Sequence, residues 1–283
     1  MTQPHGRLSP VLRWLARLPG LRRIRAMTLV DRAVEAHYRG RAATRPLVYT
    51  VRELSGRRSV GRYRPRGASI DVLLRHNTSD GNILQEFAMH HLYDEPAPVR
   101  DRLSALDAPR VVDLGGHIGL FGVHILSRYP RASVVSVEAD PANARLLRAT
   151  AAASGRAWQV IEAAAATEEG TVRYRTGAYA ESRIDPAGDA RVPTVDALEL
   201  MGDCDLAKID VEGGEWPILA DPRLAELTCM LVLEWHPFGS PGDPEHTAAE
   251  LLGSAGFTIA RVTGAPPGVG MLWAWRGTPT AGH

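Results

Sequence analysis

The sequence predicts an α/β protein, a Rossmann-like doubly wound sheet preceded by a separate extension. Three observations carry that expectation. The first is the run Arg110 to Gly119, in which Val111 and Val112 climb to Asp113-Leu114 and a turn of Gly115-Gly116-His117-Ile118-Gly119 opens onto Leu120 to Leu126. A short continuous apolar run, a glycine-rich turn and apolar residues at helical spacing read as buried strand, tight turn and helix. The second is Val134 to Glu138, a further strand ending in an acid 23 residues beyond Gly115. An acid at the tip of the second strand can accept both hydrogen bonds of a ribose diol. The third is the alternation of strand and helix patterns from residue 109 onward, as a doubly wound sheet requires.

The glycine loop reads D-x-G-x-x-x-G rather than the dinucleotide pattern G-x-G-x-x-G. No lysine or arginine lies between Asp113 and Leu126, so a pyrophosphate would rest on backbone amides and the helix N-terminus alone. A zwitterionic, sulfonium-bearing nucleoside suits an acid-then-glycine loop better. Glu138 also admits a plainer role as cap of the helix opened by Pro141.

Composition bounds the rest. The chain has 283 residues, 45% of them hydrophobic and 23% charged, with a net charge of +1. Those figures describe one large globular domain, or one domain with an extension, and give no argument for nucleic-acid binding. Cys204 and Cys229 match no metal spacing and are expected as buried reduced thiols in a cytoplasmic protein. No apolar run reaches transmembrane length, so no stable membrane insertion is expected. All but one of the 33 basic residues are arginine; the exception is Lys208. A lysine kept in such a background points to a place where a compact ammonium is needed.

In chain order, residues 1–30 carry six arginines and no acid, with Val11, Trp14, Leu15, Leu18 and Leu21 at helical spacing around Pro19. Arginines cut the apolar stretch, which excludes a secretory signal. Residues 1–26 are expected to pack on their own domain or a sister subunit, forming a homo-oligomer contact, rather than on lipid. Residues 47–54 and 69–75 read as strands of a hairpin-rich lead-in. Ser79 and Asp80 then read as caps of a helix over residues 83–93. After the strand ending at Glu138 come a helix over 141–154, strands 158–162 and 171–175, and a polar loop over 177–190. Strands 205–210 and 228–234, helix 244–255 and strands 257–262 and 271–275 close the sheet.

Ligands of open α/β sheets bind beyond the carboxyl ends of the strands. Asp113, Glu138, Glu162, Asp210 and Glu234, the last followed by His236, stand at those ends. Lys208 and Asp210 share one strand face, with Glu212 in the following turn.

The stretches Val112 to Gly119, Val137 to Pro141, Val192 to Asp196 and Lys208 to Glu215 resemble successive motifs of the FkbM family of class I S-adenosylmethionine-dependent methyltransferases. The turn at 78–80 and Leu233 to His236 fit the same pattern. The resemblance covers about residues 70–275, which divides the chain into a basic helical and hairpin extension (1–69) and a cofactor-binding domain (70–283). It implies a seven-stranded sheet whose last strand is antiparallel, and O-methylation of a hydroxyl on a sugar or secondary metabolite. Asp113, Gly115, Gly116, His117 and Gly119 would hold the methionine end of S-adenosylmethionine and Glu138 with Ala139 the ribose. Glu162 or Ala163 would border the adenine, with Ser79 and Asp80 reaching in. His117 departs from the asparagine expected in such a motif. Asp210 with His236 as partner is the expected centre for proton removal, with Lys208, Glu212 and Glu234 beside it. A divalent metal such as Mg²⁺ on Asp210, Glu234 and His236 is the less favoured route. A nicotinamide-dependent oxidoreductase, or a non-catalytic module keeping the cofactor fold, are the competing functions.

Overall fold

The computed structural model describes residues 22–177, 182–262 and 269–277. Helices α1 (Arg22–Gly40) and α2 (Pro46–Leu54) pack on each other at its N-terminal end. The expected docking of residues 1–26 falls on side chains outside the described residues. Residues 47–54, expected as a strand, are helical. Pro46 takes the first turn, where its missing N–H is harmless, and the buried positions Tyr49 and Glu53 are four residues apart. The β-branched Val48, Thr50 and Val51 suggested a strand, but packing on α1 overrides that propensity.

Strands β1 (Val60–Tyr63) and β2 (Val72–Arg75) pair antiparallel, so the boundary expected at residue 69 falls inside a hairpin. Helix α3 (Asp80–Ala88) ends before His90 and His91. Neither Ser79 nor Asp80 caps it: Ser79 makes no side-chain cap bond, and Asp80 turns back to accept from the Arg75 backbone N, Nε and Nη2 at 2.8–2.9 Å.

Helix α4 (Ala97–Ala105) leads to β3 (Arg110–Leu114), α5 (Leu120–Arg128), β4 (Ser133–Val137), α6 (Pro141–Ser154) and β5 (Trp158–Ile161). The cap of α6 is Asp140, which accepts from the amides of Ala142 and Asn143, so Glu138 is released from that duty. Strands β6 (Ala164–Ala166), β7 (Gly170–Arg175), β8 (Arg183–Ile184) and β9 (Ala190–Asp196) form a separate sheet in the order β6-β9-β7-β8. Only β7 of these was expected. The chain continues through α7 (Ala197–Gly202), β10 (Leu206–Ile209), α8 (Glu215–Ala220), β11 (Met230–Trp235), α9 (Pro244–Ser254), β12 (Thr258–Val262) and β13 (Gly270–Trp275).

The large sheet runs β12-β13-β11-β10-β3-β4-β5. Strand β13, last in the chain, is antiparallel to both its neighbours, and the pairs from β11 to β5 are parallel. Strand order therefore reverses between β3 and β10, the crevice in which such sheets bind ligands. Alternation puts Val111, Val134, Leu206 and Val232 into one core layer and Val112, Leu114, Ala207, Ile209 and Leu231 into the other. One register row breaks the apolar pattern: Ser136, Asp113 and Lys208 are direct partners across three adjacent strands. Cys204 and Cys229 are buried and make no disulfide. Among the described residues no helix is long and apolar enough to cross a membrane.

Candidate active site

The glycine turn after β3 is folded by its own backbone. Gly115 has φ 82°, and a Cβ there would lie 1.7 Å from the Asp210 carbonyl oxygen, so the residue permits both the torsion and the close approach. The amides of Gly115 and Gly116 donate to the Val137 carbonyl at 3.0 and 2.9 Å, drawing the loop across the end of β4. Lys208 Nζ donates to the Gly115 carbonyl at 2.9 Å. The same ammonium lies 2.9 Å from Asp210 Oδ2 and 3.4 Å from Asp113 Oδ1. Burial would lower the Lys208 pKa, but Asp210 and Asp113 outweigh it and keep the ammonium charged. Lys208 thus ties β10 to the glycine turn, a task that a compact charge on a flexible stem performs.

Glu138 follows β4 and is 6% exposed. Its Oε2 accepts from the His117 amide at 2.8 Å, and Oε1 from the Asp140 amide at 2.8 Å and Asn143 Nδ2 at 3.3 Å. Burial pushes its pKa up to about 7, against the pull of His117 and those hydrogen bonds.

The N-terminal side reaches in through Ser79, Asp80 and His117. Asp80 is fully buried; burial alone would raise its pKa, but His117 and Arg75 hold it well below the usual carboxylate range. His117 Nε2 faces Asp80 Oδ1 at 3.3 Å. Its φ of 46° lies in the left-handed region that asparagine and histidine tolerate better than most residues. Ser79 Oγ and His117 Nδ1 are buried with no hydrogen-bond partner.

The third part is a chamber of acids. His236 follows β11, and its Nδ1 lies 2.7 Å from Oε1 of Glu215. Glu215, fully buried, also accepts from the amides of Val211 and Gly213. The expected pairing of His236 with Asp210 is therefore replaced: Glu215 orients the imidazole, and Asp210 is held by Lys208. Burial would lower the His236 pKa, but Glu215, Asp210 and Glu212 raise it to about 10. At neutral pH the ring is an imidazolium and no base. Its Nε2 lies 3.5 Å from Glu212 Oε2 and 3.9 Å from Glu234 Oε1. Glu234 Oε2 accepts from Tyr93 Oη at 2.7 Å. Burial, then the Asp210 charge, pushes Glu234 up to about 7. Burial raises Glu212 and Glu86 to about 8 each.

These three groups surround one cavity of about 580 Å³ beyond the carboxyl ends of β3, β4, β10 and β11, a size that holds a small molecule. Of the expected site residues, Ser79, Gly115, Gly116, His117, Glu138, Ala139, Ala163, Lys208, Asp210, Glu212, Glu234 and His236 line it. Asp80, Asp113, Gly119 and Glu162 stand behind its wall. Asp113 is spent on Ser136 and Lys208. Gly119, at φ 97°, makes room for Leu147 and Trp158, and Glu162 turns out to Arg148. Sequence reasoning missed Glu86, Tyr93 and Glu215. The available signal was an acid inside the apolar stripe of 83–93 for Glu86, and for Glu215 its place after the Glu212–Gly213 turn.

The family model "Methyltransferase FkbM domain" matches residues 113–259. No curated protein matches the chain. Among solved structures, the chain resembles a precorrin-6y C5,15-methyltransferase from Geobacter metallireducens at 15% identity and TM-score 0.41, over 64% of this chain and 86% of that one. It resembles P. horikoshii TYW2, solved in complex with MeSAdo, at 14% identity and TM-score 0.40, over 78% and 72% of the two chains. Magnesium protoporphyrin IX methyltransferase (ChlM) from Synechocystis PCC 6803 with bound SAM is 16% identical with TM-score 0.40, over 69% of this chain and 84% of that one.

Proposed function

The chain belongs to the FkbM methyltransferase family, and from that premise we propose that it methylates a hydroxyl oxygen of a small molecule, a sugar or secondary metabolite, in the cytoplasm. S-adenosylmethionine supplies the electrophilic methyl on a sulfonium. The observation that carries the proposal is the polarity of one continuous cavity, with Glu138 and unpartnered donors at one end and an acid chamber at the other.

The residues present fit that cofactor. Glu138 Oε2, which among the described residues accepts only from the His117 amide, keeps an acceptor site for a ribose hydroxyl, and Ala139, Ala163 and Ala164 give the neighbouring wall little bulk. Ser79 Oγ and His117 Nδ1, buried without partners, offer hydrogen bonds to the polar amino-acid end. Gly115 and Gly116 let the backbone approach it. At the far end the acceptor hydroxyl meets Glu234. A general base works best with a pKa near the operating pH, and Glu234 at about 7 meets that condition where the His236 imidazolium does not. His236 and Lys208 supply the positive charge that keeps Glu212 and Asp210 from repelling a forming alkoxide.

Titration calorimetry with S-adenosylhomocysteine tests the cofactor end. Glu138→Ala should weaken binding by about 1.5–3 kcal/mol, the loss of hydrogen bonds to a charged group. Glu138 accepts best when ionised, so affinity should rise with pH, by about ten-fold from about pH 6 to about pH 8 for a carboxyl titrating near 7. Affinity that neither the substitution nor pH changes would remove Glu138 from the ribose. NADH binding in place of S-adenosylhomocysteine would return the oxidoreductase.

A divalent cation is the second candidate for activating the acceptor, on one observation. Asp210, Glu212 and His236 each offer a ligand atom within 4.8 Å of the others, and a histidine whose other nitrogen is held by a carboxylate is the usual metal-bound form. Activity that chelator removes and Mg²⁺ restores would move proton removal from Glu234 to a metal-bound acceptor. Activity indifferent to chelator keeps the base.

A further inference from the structure

The N-terminal helical pair has two outward stripes that no described residue covers. Val30, Val34 and Tyr38 on α1 are 59%, 63% and 45% exposed, and Leu47, Val51 and Leu54 on α2 are 73%, 68% and 42% exposed. Spacings of three and four residues put each trio on one side of its helix. Eight of the ten exposed large apolar side chains among the described residues lie between residues 30 and 60. The inner side of the pair is firmly seated. Glu53 Oε1 accepts from Arg39 Nη1 at 3.0 Å, and its Oε2 from the Asn77 amide at 3.1 Å while lying 2.9 Å from His76 Nδ1. The outer stripes are therefore not a core face turned the wrong way.

Charge says what covers them. Residues 22–66 contain 13 arginines against three acids, whereas residues 67–283 contain 17 basic residues against 29 acidic ones. Arg32, Arg41, Arg45, Arg52, Arg57 and Arg62 are all exposed. A near-neutral chain thus hides a strongly basic end on an acidic body. Nucleic acid would take the arginines but leave the valines and leucines nothing apolar to meet. A second copy meeting this face with its own would bring two arginine-rich surfaces together.

We propose that the α1–α2 face docks the protein on an anionic bilayer surface, with the arginines at the lipid phosphates and the Val, Leu and Tyr side chains in the headgroup–acyl boundary. Amphipathic basic helices bind anionic leaflets in this way, each basic residue near the surface strengthening the contact. The contact is peripheral and involves no spanning segment. It concerns residues 30–54 and is separate from the expectation that residues 1–26 pack on protein.

The test is co-flotation of the full chain with phosphatidylcholine vesicles, with and without phosphatidylserine, at low and high salt. Binding should require phosphatidylserine and fall with salt. The double variant Val34→Glu, Val51→Glu, which changes only exposed positions, should weaken it at least about ten-fold; near-native thermal unfolding and S-adenosylhomocysteine affinity would exclude misfolding. Absence of binding, or binding that the double variant leaves intact, would overturn the proposal. So would binding abolished by deleting residues 1–21 but untouched by the double variant. A dimer in sedimentation velocity that the same two substitutions dissociate would assign the face to a second copy instead.

Discussion

Replacing Glu234 with glutamine is expected to cut turnover about 10²–10⁴-fold, the usual loss when a general base is removed, while leaving S-adenosylhomocysteine affinity nearly unchanged. The side chain keeps its size and can still accept from Tyr93, so a merely structural role would leave the rate standing. The pH profile gives the sign. With Glu234 titrating at about 7, wild-type kcat should rise as pH increases through that region and then level off. His236→Ala should lower activity and push that rise to higher pH, because it removes the positive charge 3.9 Å from Glu234 and leaves three carboxylates facing one another. Full activity in Glu234→Gln would pass the role to Glu212, the other chamber acid raised to a pKa above neutrality beside His236.

Gly115→Ala should be the most damaging small substitution to the fold. An alanine at φ 82° loses about 1–2 kcal/mol to left-handed strain. Its Cβ would fall 1.7 Å from the Asp210 carbonyl oxygen, and overpacking adds about 1–3 kcal/mol or more. Because the colliding atom is backbone at the end of β10, relief requires separating β3 from β10. We expect a loss of about 3–5 kcal/mol in denaturant unfolding, with loss of S-adenosylhomocysteine binding. Stability within about 1 kcal/mol of wild type would mean that the Gly115 turn is not held as described.

The large sheet was legible because parallel strands buried on both faces leave continuous apolar runs, as Val111–Val112 and Leu231–Leu233 do. Of the small β6–β9 sheet only β7 was legible, since β6 is three alanines, β8 is two residues long and β9 is interrupted by Arg191 and Pro193. Residues 47–54 misled because β-branched content outweighed a 49/53 spacing that only contact with α1 reveals. At the site, Glu138, Asp210 and Glu234 of the strand-end acids line the cavity, while Asp113 and Glu162, with Asp80 and Gly119, do not. Sequence position places an acid near a strand tip but does not say which neighbour captures its carboxylate. Asp113 and Lys208 share a register row, so Asp113 is drawn inward; Glu215, not Asp210, reaches His236 because the Glu212–Gly213 turn, with φ 52° and 97°, folds it back.

Lys208 has a further consequence for the chemistry of the whole surface. It is the chain's one lysine, and it is 3% exposed. Apart from the α-amino group, the folded protein presents no primary amine to acylating reagents, aldehydes or amine-directed crosslinkers. Because Lys208 lines the site cavity, a reagent reaches its amine through that cavity, and only when its contacts with Asp210 and Gly115 break. The rate of acylation at this one position therefore reads out access to the site cavity, against a background in which no other lysine reacts.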